Sequence, residues 1–286
     1  MRNYFQFCPT FRCNLNCSYC PRDVKLAPDG KSYKVTFEDR KSFTIEEELP
    51  WAYLLHLLNR FRPYHMELTG GEPMLWSGFN DFLAHLPRDS SWAITTNTLL
   101  TDVVKAYGAS TPPMAWSSSY HFHSDDIFAD NINYLRTKGV PVKINMVLTP
   151  KNGDKIIEKL KYFQQLKLPA SIIPMVREGF TWKAHGEVYN RFRNIGRELK
   201  SPYVAFVPTP VNNTGAPPTK AFSGGRNYFH LFPDGRLFRC IADTWKDGVE
   251  PCGHLETFQA PKEEQPCEAG CTLACDVEVY NGRYRN

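Results

Sequence analysis

The chain has no long hydrophobic run. None of its 286 residues falls in an apolar stretch of about 18, and the opening MRNYFQFCPTFRC holds nothing of signal-peptide length. A membrane partner and secretion are therefore not expected, and the default expectation is a folded cytoplasmic protein. A block of basic residues is missing too. Thirty-four Lys and Arg against 30 Asp and Glu leave a formal charge of +4, too even for a nucleic-acid arm, so charge selects no partner. A hydrophobic content of 42% is enough to fill the core of a large α/β domain with an appendage.

What the chain does have is nine cysteines, crowded towards its two ends at 8, 13, 17, 20 and at 240, 252, 267, 271, 275. In a reducing compartment such clustering reads as metal ligation rather than disulfides. Cys13, Cys17 and Cys20 stand in C-x3-C-x2-C spacing on a polar loop after a short apolar strand (4–7), bracketed by Pro9 and Pro21. A structural zinc site needs four ligands, and the nearest His is His56. Cys8, at the expected end of the strand, reads as a small core residue. Three thiolates instead suit a [4Fe-4S] cubane with one open iron.

This loop, with an aromatic residue, Tyr19, before its last cysteine, resembles the hallmark of radical S-adenosylmethionine (SAM) enzymes. The likeness extends to MELTGGEPML (66–75), where Gly70, Gly71 and Glu72 match the family's GGEP turn. The resemblance implies that the three thiolates hold the cluster, that SAM chelates the open iron, and that a 5'-deoxyadenosyl radical is produced. It also implies SAM contacts at Tyr19, Gly70, Gly71, Glu72, Asn97, Ser119, Asn145 and Met175. Thr98 stands where the family often has a glycine, so the Thr-Asn-Gly turn is only partly matched. Taken without the family, Ser119 is a turn residue, Asn145 a polar residue in an apolar strand, and Pro174 and Met175 a core pair.

Strand-like and helix-like segments alternate after the loop, giving six βα units and a partial (β/α)6 TIM-like barrel. Thr44-x-x-Glu47 reads as a capping box opening the first long helix, with Leu49, Ala52, Tyr53, Leu55 and Leu58 as its apolar positions. His121 and His123 lie on one side of an extended segment, and they suit a pocket or supporting role better than a metal site. His185, Tyr189 and Tyr203 read as surface positions. Residues 24–45 form a hairpin-like insertion, read equally as a lid over the cluster or as surface decoration.

Beyond a Pro/Gly-rich connector, NYFHLFPDGRLFRC (227–240) reads as a hairpin ending at Cys240. With Cys252, Cys267, Cys271 and Cys275 it resembles the twitch or SPASM-type extensions of the family. That implies a core over 1–205 and, over 206–286, a small Cys-rich module holding a second, auxiliary [4Fe-4S] cluster on four of its five cysteines. Cys8, Cys252 or Cys267 is left as a thiol for hydrogen-atom donation. The partners expected are an electron donor such as flavodoxin or ferredoxin, and a small-molecule or peptide substrate. The cysteine loop begins at residue 13, which leaves no room ahead of it for a leader-binding domain and weights the expectation towards a small molecule. The other readings are a peptide maturase and a zinc-stabilised binding module without radical chemistry.

Overall fold

A computed structural model of the chain describes residues 3–20, 22–37, 41–108, 111–122, 125–149, 151–174, 204–206, 221–222, 227–240, 244, 249–259 and 265–266. After β1 (Asn3–Phe7) come three short strands, β2 (Arg22–Leu26), β3 (Tyr33–Phe37) and β4 (Lys41–Ile45). The alternating run follows: α1 (Trp51–Leu58), β5 (Tyr64–Leu68), α2 (Phe79–Ala84), β6 (Ser91–Thr96), α3 (Thr101–Lys105), β7 (Ala115–Tyr120), α4 (Asp125–Thr137), β8 (Val142–Leu148), α5 (Gly153–Gln165) and β9 (Ala170–Pro174). Then come β10 (Val204–Phe206), β11 (Ala221–Phe222), β12 (Tyr228–Leu231), β13 (Arg236–Phe238), β14 (Gly253–His254) and β15 (Gln265–Pro266).

The main sheet runs β10-β9-β8-β7-β6-β5-β1-β12-β13-β14. Strands β1 and β5 to β9 are parallel neighbours, the expected α/β partial-barrel order. One face of β1 and of β5 to β9 is largely apolar. Phe5, Met66, Trp92, Ile94, Trp116, Ile144 and Ile172 meet the helices through Leu54, Phe82, Phe128, Leu135, Leu160 and Phe163 in one buried cluster. The alternate residues form the other face, and they are largely polar. In-register rows place Thr95 beside Ser117 and Lys143, and Ser119 beside Asn145 and Ser171. Period-two alternation thus separates a dry outer layer from a polar interior.

Three expectations are corrected here. Thr44 caps no helix: it lies in β4 opposite Lys34, because Phe43 and Ile45 on either side are drawn into a buried cluster. Helix α1 starts after Pro50, a residue whose fixed φ suits a helix start. Its buried positions are Leu54, Leu57 and Leu58, whereas Tyr53 is 42% exposed. The insertion forms its expected hairpin between β2 and β3, extended by β4 to a three-stranded antiparallel meander, and it is not surface decoration. Tyr33, Val35, Phe37, Phe43 and Ile45 pack with Cys8 and Phe11 beneath the cysteine loop, and with Phe232 and Phe238 of the later hairpin.

That hairpin forms as expected, with β12 antiparallel to β13. It does not stand apart from the core sheet. Strand β12 pairs in parallel with β1, covering an edge that would otherwise be open.

Candidate active site

Ligand groups of parallel α/β folds collect where strands end at their C-terminal side. Here the ends of β1, β5, β6 and β7 converge on the cysteine loop. The first tie is backbone: Gly71 N–H donates to Thr10 O at 3.0 Å, and Glu72 N–H donates to Arg12 O at 2.8 Å. The Gly-Gly pair exists for this close approach. Gly70 has φ +124°, and a Cβ there would overlap Cys8 Sγ; one on Gly71 would overlap the carbonyl oxygens of Phe11 and Arg12. The Arg22 guanidinium also donates to Gly70 O, tying the far end of the loop to the same turn.

Glu72 faces inward. It is 1% exposed, and its carboxylate is occupied by protein donors: Met74 N–H at 3.1 Å and the Thr96 hydroxyl at 2.7 Å on Oε1, and Asn97 N–H at 2.7 Å on Oε2. Burial raises its pKa, opposed by those same bonds. Its side chain therefore braces β5 against β6.

Asn97 is 4% exposed and reaches the loop directly, its Nδ2 donating to Asn14 Oδ1 at 2.6 Å. Thr98, in place of the family glycine, has φ +57°. The left-handed turn is kept although a β-branched residue is strained there. A hydrogen bond shared by the Thr98 and Ser118 hydroxyls at 2.8 Å and one donated to Thr98 Oγ1 by Trp116 Nε1 at 3.3 Å offset that strain. Ser119 and Asn145 are register partners on the interior face, so they are brought together. Ser118, beside Ser119, points the other way. Met175 lies outside the described residues, as do His123, His185, Tyr189, Tyr203, Cys267, Cys271 and Cys275.

Within the loop, Cys13 is exposed and Cys17 and Cys20 are half-buried. Although Cys13 is exposed as a residue, desolvation of the thiol itself pushes it up to about 11, opposed by the Leu15 N–H and helped by the charges of Glu72, Cys17 and Cys20. Burial likewise raises Cys17. A bound cation inverts this logic, since a coordinating thiol is deprotonated outright. Among the described residues no three His, Cys, Asp or Glu side chains gather tightly enough for a single metal ion. A cubane, which takes each thiolate on a different iron, suits a donor set spread along a loop. Cys8 is different. It is fully buried, its pKa is pushed up to about 12 by burial, and its Sγ donates to Thr10 O at 3.2 Å. It is a core thiol, closed to a substrate radical.

His121, just past β7, shares a hydrogen bond with the Tyr19 hydroxyl at 2.6 Å, and its Nδ1 lies 3.5 Å from Cys17 Sγ. This gives the supporting role expected of it a specific partner. Sequence reading did not single out Asn14, Thr96, Arg12, Arg22 or Glu48. Arg12 pairs with Glu48 at 2.7 Å, and Glu48 also accepts from the Tyr33 hydroxyl at 3.0 Å. Their signal is spatial, since these partners are distant in the chain. Of the second cysteine group, Cys240 is buried and Cys252 exposed; Cys240 follows β13 and Cys252 precedes β14, its N–H donating to Leu237 O at 2.8 Å.

The chain is similar to known proteins in the same region. A GTP 3',8-cyclase of Aquifex aeolicus (strain VF5) is 24% identical over 264 residues, covering 81% of this chain and 79% of that protein. A probable GTP 3',8-cyclase of Methanocella arvoryzae is 28% identical over 194 residues, and the match covers 63% of this chain and 59% of the relative's length. The fold matches that of native anSMEcpe with bound AdoMet at a TM-score of 0.60 and 15% identity, covering 89% of this chain and 79% of the other. Native anSMEcpe with bound AdoMet and Kp18Cys peptide matches at 0.57 and 14%, covering 89% and 78%. The Radical SAM superfamily profile matches residues 7–163, more than half of the chain and the stretch that carries the cysteine loop, the Gly-Gly turn and strands β5 to β8. The chain belongs to the Radical SAM superfamily.

Proposed function

We propose that this radical SAM enzyme cleaves SAM reductively and abstracts a hydrogen atom from a small polar molecule, leading to dehydrogenation, epimerisation or rearrangement. Superfamily membership brings the [4Fe-4S] cluster and SAM. Cys13, Cys17 and Cys20 would hold the cluster and leave one iron for SAM. Together the two cofactors supply a 5'-deoxyadenosyl radical. The rest is done by the chain's own residues. The backbone of Gly70 and Gly71 borders the loop, Asn97 holds it through Asn14, and the apolar outer layer keeps water from the sheet.

The observation that carries the substrate class is the polar interior, with Ser119, Asn145 and Ser171 in one row and Thr95, Ser117 and Lys143 in another. Such a face suits a ligand rich in hydroxyl, amide or phosphate groups. The relatives whose name contains GTP support the same class. The test is anaerobic turnover with SAM, reductant and panels of nucleotides, sugars and short peptides, reading 5'-deoxyadenosine and deuterium transfer from labelled substrate. Stimulation and transfer with a small polar compound are expected. Transfer from peptides alone would favour a second reading, maturation of a ribosomally made peptide, which the fold match to a peptide-bound structure supports.

An auxiliary [4Fe-4S] cluster on four of Cys240, Cys252, Cys267, Cys271 and Cys275, in a module over 206–286, belongs to the same proposal. So does a flavodoxin- or ferredoxin-type electron donor. About eight irons per chain, two cubanes' worth, would support the second cluster, and about four would remove it. A zinc-stabilised binding module has no support in a chain that belongs to an enzyme superfamily.

A further inference from the structure

The meander β2-β3-β4 has two edges, and they are not alike. At β4 the Arg236 guanidinium donates to Thr44 O at 2.8 Å, which covers part of that edge. Among the described residues no strand pairs with the far side of β2. Its backbone directions follow from the register. Ala27 N–H donates to Ser32 O at 3.0 Å, so the next hydrogen-bonded pairs are Lys25 with Lys34 and Asp23 with Thr36. The N–H and C=O groups of Arg22, Val24 and Leu26 therefore point away from β3, an open row of donors and acceptors. Val24 and Leu26 share a face with their buried register partners Val35 and Tyr33. Leu26 is nevertheless 57% exposed, so the apolar face of the meander runs out to this edge without a cover. On the opposite face Asp23 and Lys25 are exposed, with their charged groups 3.7 Å apart.

We propose that β2 pairs antiparallel with β2 of a second copy of this chain, about a two-fold axis at Val24. In that register Val24 meets the partner's Val24, Arg22 meets the partner's Leu26, and each outward-facing residue exchanges both backbone bonds. Asp23 then faces the partner's Lys25, and Lys25 the partner's Asp23. A lysine on an edge strand commonly keeps other strands away; here Asp23 answers it, and the two charges select the register. A slip of two residues sets Lys25 against the partner's Lys25, or Asp23 against the partner's Asp23, and like charges directly opposite repel. A slip of one residue loses the backbone match. The contact is isologous and closes at two copies. It adjoins the cysteine loop, because β2 begins just after Cys20 and its Arg22 donates to Gly70 O. The inference goes beyond the substrate reading above and does not depend on the cluster.

The test is sedimentation velocity of the full chain over a range of concentrations, with circular dichroism of each variant. Wild type should show a reversible equilibrium of monomer and dimer. Asp23→Lys and Lys25→Asp change exposed side chains and should fold as wild type does. Each sets like charges together at both crossings and should weaken association by about tenfold or more. An equimolar mixture of these two variants should regain the dimer, since each chain then meets the opposite charge at both positions. The double variant Asp23→Lys/Lys25→Asp should associate with itself as wild type does. A wild type that is monomeric at every concentration would overturn the inference and leave the edge to another extended chain. A dimer that both single variants retain would also overturn it, by placing the interface elsewhere. So would a loss of dimer that neither the mixture nor the double variant repairs.

Discussion

Glu72 Oε2 accepts the backbone N–H of Asn97 at 2.7 Å, joining the end of β5 to the end of β6 from inside the protein. With Oε1 taking Met74 N–H and the Thr96 hydroxyl, the carboxylate is a pure acceptor facing three donors. Glu72→Gln brings a donor of its own, so either amide orientation sets it against a backbone N–H. The expected cost is about 1–3 kcal/mol, that of an unsatisfied buried group, read as a lower denaturant midpoint at neutral pH. An unchanged midpoint would contradict the bracing role.

Gly71 is held to the loop by its own N–H and by the absence of a side chain. Gly71→Ala would drive a methyl into the carbonyl oxygens of Phe11 and Arg12 and push the cysteine loop outward. A shift of about 1 Å at a reacting centre is worth about 10²-fold in rate, so SAM cleavage is expected to fall by that order while the chain stays folded by circular dichroism. Wild-type cleavage would show that the loop yields without consequence.

The insertion acts on the loop from beneath. Phe11 N–H donates to the Tyr33 hydroxyl at 3.1 Å, and that hydroxyl donates to Glu48. Tyr33→Phe strands the Phe11 N–H in a buried place and should cost about 1–3 kcal/mol. Cluster loss on dilution should be faster, with the KM for SAM unchanged. A change in substrate KM with stability intact would restore the lid reading.

Much of the fold was legible because its strands and helices carry strong local periods. Strands β5 to β9 alternate with helices α1 to α5, as the sequence pattern led us to expect. Errors arose where a local signal met a tertiary demand. The capping box at Thr44 lost to pairing with β3, since Phe43 and Ile45 gain more by burial than a helix start gains from a cap. Addition of β12 to β1 joins residues more than 200 apart, which no local pattern announces. At the site, the cysteine loop and the Gly-Gly turn were legible because their chemistry is carried by residue type and spacing. The inward turn of Glu72 and the reach of His121 to Cys17 were not, because each depends on partners from another strand end.

His230, on β12, is fully buried, and neither ring nitrogen has a hydrogen-bond partner among the described residues. Burial lowers its pKa from 6.5 to about 3, with the Arg22 charge acting in the same sense. Below the unfolded value of 6.5 the unfolded chain takes up a proton that the folded chain refuses, so stability falls as pH drops from 6.5 towards 3. The slope for one such group approaches about 1.4 kcal/mol per pH unit. His230→Phe should flatten the wild-type loss of stability between about pH 6.5 and 5, a window above most carboxylate titration, and should be neutral or stabilising at pH 7. Denaturant midpoints across that window decide it, and parallel curves for the two proteins would contradict the assignment.

The central claim is that Cys13, Cys17 and Cys20 hold a cluster that cleaves SAM. The most direct measurement is anaerobic reconstitution with iron and sulfide, followed by iron counting and assay of 5'-deoxyadenosine with SAM and reductant, on wild type and on a variant with all three cysteines changed to Ala. The account expects wild type to form 5'-deoxyadenosine and the variant to form none while losing about four irons, one cubane's worth. Equal iron in the two proteins, or a wild type that holds zinc and never cleaves SAM, would contradict it.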